Sequence, residues 1–244
     1  MAASGKLYYR TAGGAWAAVA VGGGGGSATG DYIPEDGWVA ISDTLTYASA
    51  TTFTVSGDLT ATFQKGTKFK LTQTTVKYFY VTASAYVDPT TTVTITGGSD
   101  YTLANASIDT PYYSYIDNPL GFPDWFNYTP VWSALGSMTV TVTTLYCAAF
   151  SIKGKTAFMK VHAEVTLGGT AYSVLIATLP VNYNKTITPV VGAARYFGNA
   201  GIVAGYCYPI SGPPDILYMR RYDAANFNLG TGRVIAGSIY YDIE

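Results

Sequence analysis

The stretch TAFMKVHAEVTL, residues 156–167, constrains the fold more than any other part of the chain. Met159, Val161, Ala163 and Val165 fall on one side of an extended backbone, and Lys160, His162, Glu164 and Thr166 on the other. A clean period of two marks a strand with one face in a core and one in water. Wound into a helix, the same apolar residues would scatter around the cylinder and bury nothing. The glycines at 168 and 169 predict a turn into AYSVLIATLPV as the second arm of an antiparallel hairpin.

The same signature recurs along the chain. TTFTVSG sets Phe53 and Val55 together, and TTTVTITGG does so for Val93 and Ile95. TKFKLTQTTVKYFYV alternates Phe69 with Leu71 and carries the pattern on through Val76, Tyr78 and Tyr80. VVGAARYF, GIVAGYCYPI, DILYMRRYD and GRVIAGSIYYDI supply further short strands, with turn residues at 56–58, 65–66 and 88–89 between others. Only DYTLANASI fits a single helical turn, with Asp100 as its cap. The expected fold is all-β, with two β-barrel or sandwich modules over residues 32–120 and 135–244, the second jelly-roll-like. Residues 121–134 are the connector. In residues 1–31, GKLYYRTAGGAWAAVAV predicts a hairpin turning over 11–15, and GGGGGSATG a flexible linker, together an attachment arm.

Composition narrows the function. Charged residues make up 12% of the chain, about half the usual share, so parts of its surface are expected to be covered by other subunits. Hydrophobic residues at 48% and 22 tyrosines exclude a disordered chain. A net charge of −1 gives no whole-chain attraction to nucleic acid or to acidic membranes. No run approaches the roughly 20 apolar residues that span a bilayer, so membrane insertion is not expected. No secretory signal is visible near the start, which predicts a chain made in a cytoplasm and used there or released by lysis. Cys147 and Cys207 read as free thiols, although spacing alone leaves their pairing open.

Few residues offer reaction chemistry. His162 is the only histidine and sits on the polar face of a regular strand, without the cysteine cluster a zinc site needs. No Ser-His-Asp set, nucleophile elbow or phosphate-binding glycine loop can be assembled. Asp109, Asp117, Asp124, Asp215 and Asp223 stand beside turn residues, where aspartate bonds to backbone, rather than as an evident acid–base pair. No catalytic, metal or cofactor residue is therefore assigned, and an enzyme is not expected. Lys65, Lys68, Lys70 and Lys77 form the one basic cluster. The alternation of Lys68 and Lys70 with Phe69 and Leu71 reads as an ordinary solvent- or subunit-facing strand face, not a nucleic-acid groove.

Residues 110–132, TPYYSYIDNPLGFPDWFNYTPVW, hold eight aromatic rings and four prolines. The prolines stiffen the segment by fixing φ and restricting the residues before them. Tyr112, Tyr115, Trp125, Phe126 and Trp132 are then free to pack against both modules or a neighbouring subunit. Such rings also suit a sugar platform, and the loops at 212–214 and 226–230 would be the outer tip of a glycan-recognition module.

Residues 46–126 resemble a module found in tailed-bacteriophage and prophage virion proteins, usually minor tail or other structural proteins. The resemblance runs through TFTVSGDLTATFQKGTKFKLTQTTVKY, TTTVTITGGSDYTLANASI and the closing YYSYIDNPLGFPDWFN. GKLYYRTAGGAWAAV is similar to a short hairpin near the start of such proteins, and FSIKGKTAFMKVHAEVTLGGTAYSVLIATLPV to the β-sandwich that often follows. The resemblance implies a virion structural component, assembled in a host bacterial cytoplasm and commonly homotrimeric. In that setting the hairpin and glycine linker read as an arm that docks to other virion proteins, with Tyr8, Arg10 and Trp16 as anchors, and the exposed rings as a second surface, for a host glycan. A tail or fibre protein is the leading expectation; a capsid decoration protein and a carbohydrate-binding receptor-recognition module are the alternatives.

Overall fold

Period-two patterning is realised throughout: every regular element among the described residues is a strand. The computed structural model describes residues 8–10, 16–18, 34–181, 191–198, 201–210 and 215–243. The chain divides into two units, Met1–Tyr32 and Ile33–Glu244. In the first, β1 (Tyr8–Arg10) and β2 (Trp16–Ala18) form an antiparallel hairpin that pairs Tyr8 with Ala18 and Arg10 with Trp16. The turn at 11–15 and the glycine run at 22–26 lie outside the described residues, as do the side chains of Tyr8, Arg10 and Trp16.

The second unit contains two antiparallel sheets. The first comprises β3 (Val39–Ala40), β4 (Leu45–Ser49), β5 (Thr52–Ser56), β6 (Lys68–Gln73), β7 (Thr75–Val87), β8 (Thr90–Thr96) and β9 (Asp109–Ser114). Its strand order is β3-β9-β6-β7-β8-β5-β4, so β3 and β4 are opposite edges although only residues 41–44 join them. A flat sheet would hold those edges about 29 Å apart, whereas five Cα–Cα steps reach about 19 Å at most. The sheet must therefore curl, and its concave face encloses Phe53, Phe63, Phe69, Leu71, Phe79, Val81, Val93 and Ile95. Phe53 packs 5.0 Å from Phe69 and 5.3 Å from Phe63, a ring cluster in which each buried side chain contributes roughly 1.5–3 kcal/mol.

The second sheet comprises β10 (Phe126–Asn127), β11 (Trp132–Ala134), β12 (Met138–Lys153), β13 (Thr156–Gly169), β14 (Leu175–Thr178), β15 (Gly192–Gly198), β16 (Gly201–Ile210), β17 (Ile216–Arg221) and β18 (Gly230–Asp242). Its order is β10-β12-β13-β18-β15-β16-β17-β14-β11. Here three residues, 135–137, join β11 to β12, which a flat sheet would separate by about 34 Å. This sheet curls as well. Met159, Val161, Ala163 and Val165 line its interior, while Lys160, His162, Glu164 and Thr166 face outward as their alternation requires. The all-β reading with two barrel- or sandwich-like modules thus holds.

Three expectations are corrected. First, β13 does not form a hairpin with β14. It pairs with β12 through the turn at Gly154 and with β18, while β14 pairs with β11 and β17. Strand length explains the choice: a 14-residue strand is matched by partners of 16 and 13 residues, and a strand of 4 would leave most of its ladder open. Second, DYTLANASI contains no helical turn. Gly97 and Tyr101 make a β-bridge, and the Asp100 carboxylate accepts from the Asn127 N–H at 2.8 Å and from its side-chain amide at 3.0 Å.

Third, the inward run of β6 does not continue through Val76, Tyr78 and Tyr80. Thr74 adopts φ 65° in a one-residue turn that sets Gln73 opposite Thr75 and Phe69 opposite Phe79. Directly opposed residues share a face, so Phe79 and Val81 join the core, while Tyr78 and Tyr80 go to the other side with Lys68 and Lys70.

Candidate functional site

The outer face of β6 and β7 carries Lys68, Lys70, Tyr78 and Tyr80, a pattern that a solvated sheet would tolerate. It is not solvated. The connector folds over it, and the Trp38 indole N–H donates to the Leu120 carbonyl at 2.8 Å to hold the cover in place. Trp38 lies 6.3 Å from Tyr78 and 6.0 Å from Phe122, and Phe122 lies 5.0 Å from Tyr80. The Lys70 ammonium sits 4.4 Å from the ring centres of both Trp38 and Tyr112, a double cation–π contact. Burial lowers its proton affinity, and the Asp36 carboxylate partly restores it.

Lys68 is the extreme case, with 3% of its surface exposed. Its ammonium lies 6.0 Å from the Tyr80 ring centre and 5.9 Å from that of Phe122. Among the described residues it has no hydrogen-bond or ion-pair partner. Desolvation pushes its pKa below the ordinary lysine value; Asp117 opposes this shift and Lys153 adds to it. The expectation of a solvent- or subunit-facing lysine row is corrected at this residue. Its face is roofed by the aromatic segment at residues 110–132, whose Phe122 ring lies over it.

Beyond Phe122 the connector meets the second sheet and leaves a cleft of about 290 Å³. Tyr80, Phe122, Trp125 and Phe158 supply its flat apolar walls, and Asp117, Asn118, Asp124, Ser151 and Lys153 its polar groups. The Tyr80 hydroxyl bonds to the Ile152 backbone and the Ser151 side chain, but burial dominates and raises its pKa. Trp125 is 41% exposed, and the Lys160 ammonium stands 4.1 Å from its ring centre. Trp125 and Phe158 also border a shallower depression floored by Gly192, Ala193 and Ser238. That depression continues past Lys160 to His162 and Arg195 on the outer face of β13, β15 and β18.

The five residues of segment 110–132 singled out from sequence separate into different roles. Phe126 is fully buried, 5.2 Å from Tyr80 and 5.8 Å from Phe150, where the two sheets share one aromatic cluster. Tyr112 flanks Lys70. Tyr115 is 57% exposed and donates its hydroxyl to the carbonyl of Thr62 at 3.1 Å. Trp125 borders the cleft. Trp132 lies on β11 against the second core, its buried indole N–H without an acceptor among the described residues. Tyr8, Arg10 and Trp16 belong to the separate hairpin unit.

Of the aspartates, Asp117 and Asp124 come together on the cleft, whereas Asp223 caps a turn at Ala225 and pairs with Arg221. The loop at 226–230 is pinned from below: Arg221 and Arg233 donate to its carbonyls, and the Tyr196 hydroxyl donates to the Asn228 carbonyl at 3.0 Å. The loop at 212–214 lies outside the described residues. His162 packs on the Tyr146 ring at 4.7 Å, and Tyr146 donates to Glu164 at 2.9 Å. Both cysteines are free; Cys207 is buried between the carbonyls of Ala193 and Ser238, and burial pushes its thiol up to about 12. Among the described residues, no group of three potential ligands is placed to hold a metal ion.

Sequence reasoning missed Trp38, Lys68, Lys153 and Phe158. The signal for Lys68 was present: once β6 and β7 form a hairpin about Thr74, Lys68 must face Tyr80 and Lys70 must face Tyr78. No protein-family model, curated protein or solved structure matches the chain.

Proposed function

We propose that the chain is a structural component of a phage virion, a tail or fibre protein docked by its N-terminal arm and projecting its two β modules as a homo-oligomer. The observation that carries this reading is the separate hairpin of β1 and β2, whose strands are three residues long. A two-stranded hairpin that short is not stable in water by itself, so a docking partner supplies what its own residues lack. The resemblance of residues 46–126 to virion modules supports the setting. A row of aromatics supports self-association: the half-buried rings of Tyr206, Tyr208 and Tyr218 and the exposed ring of Tyr222 follow one another at 5.5–5.9 Å on β16 and β17 and just beyond. On a chain with 12% charged residues, burying such a ladder between subunits contributes roughly 25 cal/mol per Å².

Deletion of residues 1–21 is the test. The truncated protein is expected to fold and self-associate but to be missing from purified particles. Incorporation at the wild-type level would overturn the docking role of the arm. Imaging the intact particle then separates a tail position from decoration of the head.

A further inference from the structure

The cleft between the connector and β12–β13 has a composition that the structural role does not use. Its walls are flat rings, which suit the C–H faces of a sugar, and its rim mixes acceptors with donors, which suits several hydroxyls. At about 290 Å³ it has room for a sugar unit but none for a folded peptide. Behind its inner wall stands Lys68, a residue with 3% of its surface exposed; its ammonium has no hydrogen-bond or ion-pair partner among the described residues, lies about 6 Å from two cleft rings and feels the charges of two cleft residues, Asp117 and Lys153. An ammonium short of acceptors in such a setting is unfavourable, and a ligand carboxylate held in the cleft by Lys153 would bring a compensating charge toward it.

We propose that this cleft binds a carboxylate-bearing sugar residue of an acidic polysaccharide, with Lys153 on the carboxylate, the Lys68 charge behind the Tyr80 and Phe122 rings adding to its attraction, Trp125 and Phe158 against the ring, and Asp117 and Asp124 accepting from hydroxyls. The two aspartates decide between anions. A doubly charged phosphate would be repelled by them and has few protons to offer, whereas a sugar acid carries one charge and several O–H donors. Continuity of the cleft with the depression running past Lys160 to Arg195 favours a polymer, since further acidic units would meet those two cations along that path. The proposal does not depend on the virion reading: a protein from any setting with this cleft would bind the same chemistry.

The experiment is a titration of the full chain, followed by tryptophan fluorescence and calorimetry. The probes are methyl glycosides of glucuronate, galacturonate and N-acetylneuraminate, their neutral counterparts, and inorganic phosphate. At least one acidic glycoside is expected to bind saturably and at least tenfold more tightly than its neutral counterpart and than phosphate. Lys153→Met is expected to erase that acidic preference, Lys68→Met to reduce it, and Trp125→Ala, at an exposed residue, to weaken acidic and neutral sugars alike by tenfold or more. Thermal melts verify that all three variants are folded, and Lys153→Met, at an exposed residue, carries the charge test whatever Lys68→Met does to the fold. No saturable binding of any acidic glycoside, equal binding of the neutral forms or of phosphate, or an acidic preference that survives loss of the cleft lysine would each overturn the proposal.

Discussion

Lys68 shows how a single residue can be read correctly in its local pattern and wrongly in its environment. Alternation with Phe69 and Leu71 placed it opposite the core, and it is opposite the core. What alternation does not encode is that a second layer covers that face, because the covering rings of Trp38 and Phe122 lie far away in sequence. The consequence is measurable. Well below its depressed folded pKa, Lys68 is charged in both states and the fold bears the cost of its burial. Between that pKa and the ordinary value near 10.5, the unfolded chain binds a proton that the folded chain has released, so stability from this group rises with pH. Lys68→Met keeps the length of the side chain and removes the charge. It is expected to stabilise the protein by about 1–2 kcal/mol near neutral pH. The advantage over wild type should shrink as pH climbs toward 10.5. Urea unfolding of both proteins across pH checks this; an advantage that grows with pH would contradict it.

At the scale of elements, the strands were legible and their partners were not. Phe53 and Val55, Val93 and Ile95, and the whole of β13 point where period two puts them. Pairing depends on strand length and on turns, which is why β13 chose β18 and why Asp100 bonds to β10 instead of capping a helix. Two turns of the first sheet are committed to the second in the same way. A Cβ on Gly66 would stand 2.0 Å from the Gly154 carbonyl oxygen, and one on Gly98 would stand 1.9 Å from that of Asn127. Both glycines also hold positive φ, 88° and 60°. Gly57, at φ 83° with nothing within 4 Å of an added Cβ, isolates the conformational cost from the steric one. Gly57→Ala is expected to cost about 1 kcal/mol. Gly98→Ala should cost that and a further 2 kcal/mol or more, because backbone has to move. Equal losses from the two substitutions in chemical denaturation would mean that the Gly98–Asn127 approach does not constrain the fold.

On the scale of the whole molecule, the sequence presents two blocks of strands with a stiff connector, while residues from Ile33 onward form one unit. The reason lies in where the connector's rings go. Tyr80 from β7 belongs to the same buried cluster as Phe126 and Phe150, so the outer face of one sheet is an inner surface of the combined body. The cleft exists for the same reason: its walls come from β7, the connector, β12 and β13, and neither sheet alone would form it. Shared core implies shared unfolding. Calorimetry of the protein is expected to show a single transition for this unit, with van't Hoff and calorimetric enthalpies in agreement. Phe126→Ala removes a fully buried ring from the junction and should cost about 3–5 kcal/mol. If the two sheets are one cooperative body, that loss lowers the temperature of the whole transition and keeps it single. If each sheet were stable independently, the same substitution would split the endotherm or move only part of it. Near-ultraviolet and far-ultraviolet melts that stay superimposable in Phe126→Ala would establish the first outcome, and separated melts the second.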